Sequence, residues 1–132
     1  MHFMDLTDWE TKPKEVLIIG GSVGTLPFFL KSIYKQYVNI TVLEKNPALK
    51  QIGEEYFGFK DMSYNWETPS NYLSYIQSTY DKRSSTKAKI FDLIIINENN
   101  YGSNETMSPS QELINKKTLE MYKASYLYNI LI

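Results

Sequence analysis

The sequence predicts an α/β domain with a doubly wound, mostly parallel sheet. Three observations carry that prediction. Two short runs, Val16 to Ile19 and Leu93 to Ile96, are continuously apolar, as strands buried on both faces must be. Strand-like segments alternate with helix-like segments along the chain, the order that parallel pairing with crossover helices requires. The chain has 132 residues, 42% hydrophobic and 14% aromatic, which is enough for one core and too little for two.

Taken in order, residues 1–13 read as a leader that ends at Pro13, with Trp9 covering the domain edge, and residues 14–132 as the domain. KEVLIIGGSVGTLPFFLKSIYKQY reads as strand, glycine turn and helix. Pro27 suits a first helical turn, where a missing N–H costs nothing. Leu26, Phe29, Leu30, Ile33 and Tyr37 then fall at helical spacing. VNITVLEKNP is a second strand closed by Glu44. Pro47 opens a helix through about Phe57, carrying Leu49, Ile52, Tyr56 and Phe57, and Gly58 stops it. DMSYNWE is a weaker third strand, and SNYLSYIQSTY, after Pro69, a third helix. DKRSSTKAK is a solvated basic loop, and FDLIIINENN the fourth strand. YGSNETMSPS is a loop, with Pro109 near the start of a helix that runs to about Lys123. SYLYNILI makes a fifth strand.

Composition removes several functions. A formal net charge of −1 offers no global field for a nucleic acid backbone. With no cysteine there is no disulfide scaffold, zinc–cysteine site or thiol nucleophile, and one histidine, His2, speaks against a histidine metal site. No apolar run approaches the roughly 20 residues of a membrane-spanning helix. The polar, acidic N-terminus has no signal core, so a cytoplasmic setting is expected.

Ligands of doubly wound sheets sit beyond the C-terminal strand ends, at the switch point. The residues there are Gly20 to Gly24, Glu44, Glu67 with Thr68, and Asn97 to Asn100. The turn Gly20-Gly21-Ser22-Val23-Gly24 matches G-x-S-x-G, the nucleophile elbow of hydrolases. That triad needs a histidine downstream of the serine, and none follows His2, so Ser22 stays an ordinary alcohol. The dinucleotide fingerprint G-x-G-x-x-G wants glycine at positions 22 and 25, where Ser22 and Thr25 stand. The third match is G-x-G-x-G with serine in the middle, a turn that lets the backbone approach a nucleoside. Glu44 closes the second strand 20 residues after Gly24, at an exposed strand end, where a carboxylate can accept both hydrogen bonds of a ribose diol.

VLIIGGSVGTLPFFL, TVLEKNPAL, EEYFGF, FDLIII and MSPSQELINKKTLEMYKASY, in this order and spacing, resemble the spermidine synthase-like branch of class I methyltransferase folds, above all the methyltransferase-like protein 13 group. The resemblance implies a Rossmann-like fold that binds S-adenosylmethionine. Gly20, Gly21, Ser22, Gly24 and Glu44 would hold that cofactor. Glu67 and Thr68 would lie near its adenine, and Asn97 would face the reacting centre and position substrate. A protein lysine is the implied substrate. Where the branch carries aspartates after the fourth strand, this chain has Asn97 and Asn99. An amide is no proton acceptor, so amine deprotonation of the aminopropyl-transferase kind is disfavoured. A non-catalytic binding or scaffold relative is the alternative. The branch's C-terminal hairpin has no counterpart after Ile132, so the fifth strand is expected to form an edge open to self-association or a partner chain.

Overall fold

The computed structural model describes residues 12–60, 63–81, 91–98 and 111–131. The two apolar runs lie side by side at its centre. β1 (Lys14–Ile19) pairs in parallel with β4 (Phe91–Ile96), Val16 opposite Leu93 and Ile19 opposite Ile96. On the other side of β1 runs β2 (Val38–Leu43), Lys14 opposite Val38 and Ile19 opposite Leu43. The short β3 (Asn65–Glu67) flanks β2, and β5 (Tyr126–Leu131) flanks β4, both in parallel. The sheet order is β3-β2-β1-β4-β5.

Successive side chains of a strand point to opposite faces, so the strands feed two cores. Leu17, Ile19, Leu43, Ile94 and Ile96 meet Tyr72 and Ile76 of α3 (Tyr72–Asp81), Leu113 of α4 (Gln111–Ile114) and Met121 of α5 (Lys116–Ser125). Val16, Ile18, Ile40, Val42, Leu93 and Ile95 meet Leu30 of α1 (Thr25–Tyr34) on the other face. Helices therefore cover both sides, and the expected parallel α/β architecture holds. The chain first builds outward from β1 through β2 to β3, then crosses to β4 on the opposite side. That reversal opens a crevice at the C-terminal ends of β1 and β4.

Five local expectations need correction. The helical spacing in α1 does not mark its buried face: Phe29 and Ile33 are exposed, while Pro27 and Leu30 are buried. In α2 (Pro47–Tyr56) only Gly53 is buried, and Ile52, Tyr56 and Phe57 face outward. α1 stops at Tyr34 in a 3₁₀ turn, Lys35–Tyr37, because Lys35 enters left-handed backbone at φ 48°. The last predicted helix is broken at Asn115, whose Oδ1 accepts the Thr118 N–H at 2.9 Å and caps the new start of α5. β3 is only three residues long, shorter than the seven in DMSYNWE. The predicted leader, apart from Lys12 and Pro13, lies outside the described residues, as do the DKRSSTKAK loop beyond Asp81, Pro109, Asn99 and Asn100.

Candidate functional site

The turn after β1 is shaped by the ladder beneath it. The N–H groups of Gly20 and Gly21 both donate to the Leu43 carbonyl, at 2.8 and 3.1 Å, and Gly24 N–H closes the turn onto Gly21 O at 3.0 Å. Gly20 (φ 89°), Ser22 (φ 52°) and Gly24 (φ 99°) all take positive φ. Serine seldom does so, and the sequence offers no glycine there to make it easy. A Cβ at Gly20 would stand 2.6 Å from the Asn97 carbonyl oxygen, and one at Gly21 would strike Val42 Cγ1 and the Trp66 ring. The chain's own packing thus accounts for the first two glycines. Gly24 has ordinary contact distances of 3.5 Å and more, so its requirement is backbone conformation as the residue before α1.

Glu44 is the residue that ties the turn together. It is 8% exposed, which corrects the expectation of an exposed strand end. Its Oε2 accepts the Ser22 N–H at 2.8 Å and its Oε1 accepts the Asn46 N–H at 3.0 Å. The charge-assisted bond to Ser22 stabilises the strained φ of that residue from the next strand. An ionised carboxylate has about four acceptor positions, so two remain for a ligand.

Asn97 follows β4 and is exposed, its backbone N–H held by Ile19 O at 2.8 Å. The crevice therefore gathers Gly20, Gly21, Ser22, Gly24, Glu44 and Asn97. Glu67 stands one strand further out. Its carbonyl accepts the Glu44 N–H at 3.0 Å, while its carboxylate accepts from Asn65 Nδ2 at 3.0 Å. Thr68 next to it is exposed.

Sequence reasoning gave no role to four residues here, although Glu98 lies within the strand end Asn97 to Asn100 that it named. Glu98 is 9% exposed and pairs with Lys45 Nζ at 3.3 Å. That ammonium also lies 4.8 Å from the centre of the Tyr72 ring. The Tyr72 hydroxyl accepts the Lys45 backbone N–H at 3.2 Å. Burial pushes the Tyr72 phenol up to about 12; the Lys45 N–H works against that rise, and the Glu44 and Glu98 carboxylates add to it. Gly53 was also missed: a Cβ there would strike the Val23 carbonyl oxygen, so α2 rests directly on the turn. An isolated glycine inside a helical pattern was its visible signal. Among the described residues no cluster of three or more metal-ligating side chains occurs, and no helix is long and apolar enough to cross a membrane.

Comparison with known proteins places this geometry. No family model matches the chain. A polyamine aminopropyltransferase from Vibrio vulnificus is 31% identical over 85 residues, covering 64% of this chain and 26% of the relative. The chain thus spans about a quarter of that relative's length. Human methyltransferase-like protein 13, solved in complex with SAH, superposes with a TM-score of 0.74 at 20% identity, over 90% of this chain and 52% of that one. Spermidine synthase from Thermotoga maritima superposes with a TM-score of 0.54 at 22% identity, over 89% of this chain and 36% of that one. A spermidine synthase with the transition-state analogue AdoDATO gives 0.56 at 20% identity, over 88% and 36%. The fold is that of the class I methyltransferases and spermidine synthases.

Proposed function

We propose that the chain works as an S-adenosylmethionine-dependent, methyltransferase-like domain of the cytoplasm, with a protein lysine as its substrate and its sheet in the five-stranded form. The observation that carries this reading is the Glu44 carboxylate, clamped across the glycine turn by two backbone N–H groups with two acceptor positions left. The residues present fit the cofactor. Glu44 can hold a vicinal diol, and the turn from Gly20 to Gly24 presents backbone rather than bulk, with Ser22 exposed beside it. The human neighbour solved with SAH has the same fold and supports the choice of nucleoside.

The bound cofactor would supply an electrophilic methyl group. What the chain's residues do is position. Asn97, exposed at the end of β4, can accept a hydrogen bond from an amine through its side-chain oxygen. It cannot take the proton, so the amine it orients has to arrive already neutral, its proton lost to solvent.

Calorimetric titration of the chain with S-adenosylhomocysteine tests the binding. Saturable binding at micromolar concentration is the expected result, and no heat at millimolar ligand overturns the reading. Methyl transfer to a lysine-containing peptide, followed by mass spectrometry, separates the enzyme from a non-catalytic relative, which would bind cofactor without turnover.

A further inference from the structure

The glycine turn is held from two strands. From β2, the Glu44 carboxylate takes the Ser22 N–H. From β3, the Trp66 ring lies against the turn. β3 has three residues, and alternation sends only Trp66, opposite Val42, to the sheet face that α1 covers. A Cβ at Gly21 would stand 2.9 Å from Trp66 Cη2, and one at Gly24 3.6 Å from Trp66 Cζ3. Those two carbons are bonded neighbours on the outer ring of the indole. One edge of one side chain therefore spans the two residues whose hydrogen bond, Gly24 N–H to Gly21 O at 3.0 Å, closes the turn. A phenyl ring at position 66 would end short of both glycines, because the contacting atoms belong to the part of the indole that phenylalanine lacks.

The strand also fixes where the ring sits. Glu67, next in the chain, accepts the Glu44 N–H through its carbonyl at 3.0 Å, so Trp66 is tied to the strand end that carries Glu44. The indole brings a penalty that a plain core residue avoids. Its Nε1–H is buried and has no partner among the described residues. An unsatisfied buried donor is destabilising, and an aliphatic or phenyl side chain would fill this layer without one. Features that break a packing rule in this way call for a compensating role, and the turn beside the ring supplies it.

We propose that Trp66 is a positioning residue of the nucleoside site. Its outer ring is the spacer that sets the Gly21–Gly24 turn in the shape the ligand meets, and it acts through the turn without touching the ligand. The inference rests on the reading of the turn as a cofactor site, but half of its test uses no ligand, so the two can fail separately.

The test compares Trp66→Phe with Leu30→Ala, a truncation in the same buried cluster. In the ligand-free chain, hydrogen exchange of the Gly24 amide is read against that of the Asn97 amide, which is bonded to Ile19 O outside the turn. Global opening quickens both alike, whereas a loosened turn quickens Gly24 alone. Trp66→Phe should quicken Gly24 about tenfold more than Asn97, and Leu30→Ala should quicken the two by equal factors. Trp66→Phe should also bind S-adenosylhomocysteine about tenfold more weakly than the parent, while Leu30→Ala binds as the parent does. Equal exchange factors in Trp66→Phe, or parent-like affinity, overturns the proposal. A parent that fails to bind overturns the cofactor reading, and Gly24 exchange still decides whether Trp66 sets the turn. Should Trp66→Phe not fold, 5-fluorotryptophan at position 66 in a Trp9→Phe chain, its fluorine on Cζ3, replaces it. A saturable shift of the fluorine resonance with S-adenosylhomocysteine supports the proposal, and an unmoved resonance at saturating ligand overturns it.

Discussion

Replacing Glu44 by glutamine keeps the side chain's size while removing its charge and one of its acceptors. In the native arrangement Oε2 and Oε1 accept from Ser22 and Asn46. Hydrogen bonds to a charged group are worth roughly 1.5–3 kcal/mol each. The amide can satisfy one of these donors, and its NH₂ then faces the other. The net loss is about 2 kcal/mol, large against the roughly 5–15 kcal/mol that holds a domain together. For a domain of this size that lowers Tm by roughly 6–10 °C. Glu44→Gln should also weaken S-adenosylhomocysteine binding about tenfold to a hundredfold, since the diol loses a charged acceptor. Thermal melts measure the first effect and calorimetry the second. The decisive comparison repeats the titration with the 2′,3′-dideoxy analogue, for which parent and variant should differ little. A Tm unchanged to within about 1 °C would refute the role of Glu44 in holding Ser22 at positive φ. If the dideoxy and mutational losses simply add, the carboxylate does not touch the ribose.

Three further outcomes follow from the geometry. Gly20→Ala places a methyl 2.6 Å from the Asn97 carbonyl oxygen at φ 89°, and should cost more than about 3 kcal/mol in urea unfolding. Gly58→Ala, at φ 70° with open space around it, should cost only about 1–2 kcal/mol, and equal losses at the two positions would refute the packing argument. The Tyr72 phenol is raised from 10.0 to about 12, so the folded chain holds that proton more tightly than the unfolded one. The stability this provides is fully present below pH 10 and is lost as pH rises through about 12. Melts between those limits should therefore fall more steeply for the parent than for Tyr72→Phe; parallel slopes would contradict the shift. NADH should show no heat in the titration that detects S-adenosylhomocysteine, and comparable binding of the two would refute discrimination against a pyrophosphate at the turn.

The central strands were legible because burial on both faces leaves an unbroken aliphatic run that needs no partner to recognise it. The glycine turn and Glu44 were legible because a switch-point crevice puts them at fixed places relative to those runs. The buried side of α1 was not. Leu26, Phe29, Leu30, Ile33 and Tyr37 share a spacing, yet the sheet takes Pro27 and Leu30 and leaves Phe29 and Ile33 outside. Periodicity gives an apolar stripe but not the rotation at which a helix docks. The break at Asn115 was hidden because the periodic pattern continues across it, and only the bond to Thr118 reveals a new cap. Glu98 was hidden for a different reason. The strand end Asn97 to Asn100 was named as a whole, and what sets Glu98 apart within it, its burial and its pairing with Lys45, 53 residues away in the chain, is tertiary.

Charge, more than shape, separates the nucleosides this crevice can take. A pyrophosphate needs backbone N–H groups and preferably a cation at the turn. Here the N–H groups of Gly20 and Gly21 are spent on Leu43 O, and that of Ser22 is spent on the Glu44 carboxylate. Glu98 takes the neighbouring cation, Lys45. Two opposed unit charges about 4 Å apart interact by about 4 kcal/mol at an effective dielectric near 20, and like charges repel by the same amount. A phosphate at the turn would meet Glu44 without compensation. A ligand with a neutral ribose diol and a positive centre meets the same carboxylate as a hydrogen-bond acceptor and a favourable field. The chain's departures from glycine at positions 22 and 25 and its acid at 44 thus point the same way. On the proposed reading Glu44 takes a nucleoside by its sugar, and its carboxylate favours a ligand whose charge is positive over one that carries a pyrophosphate.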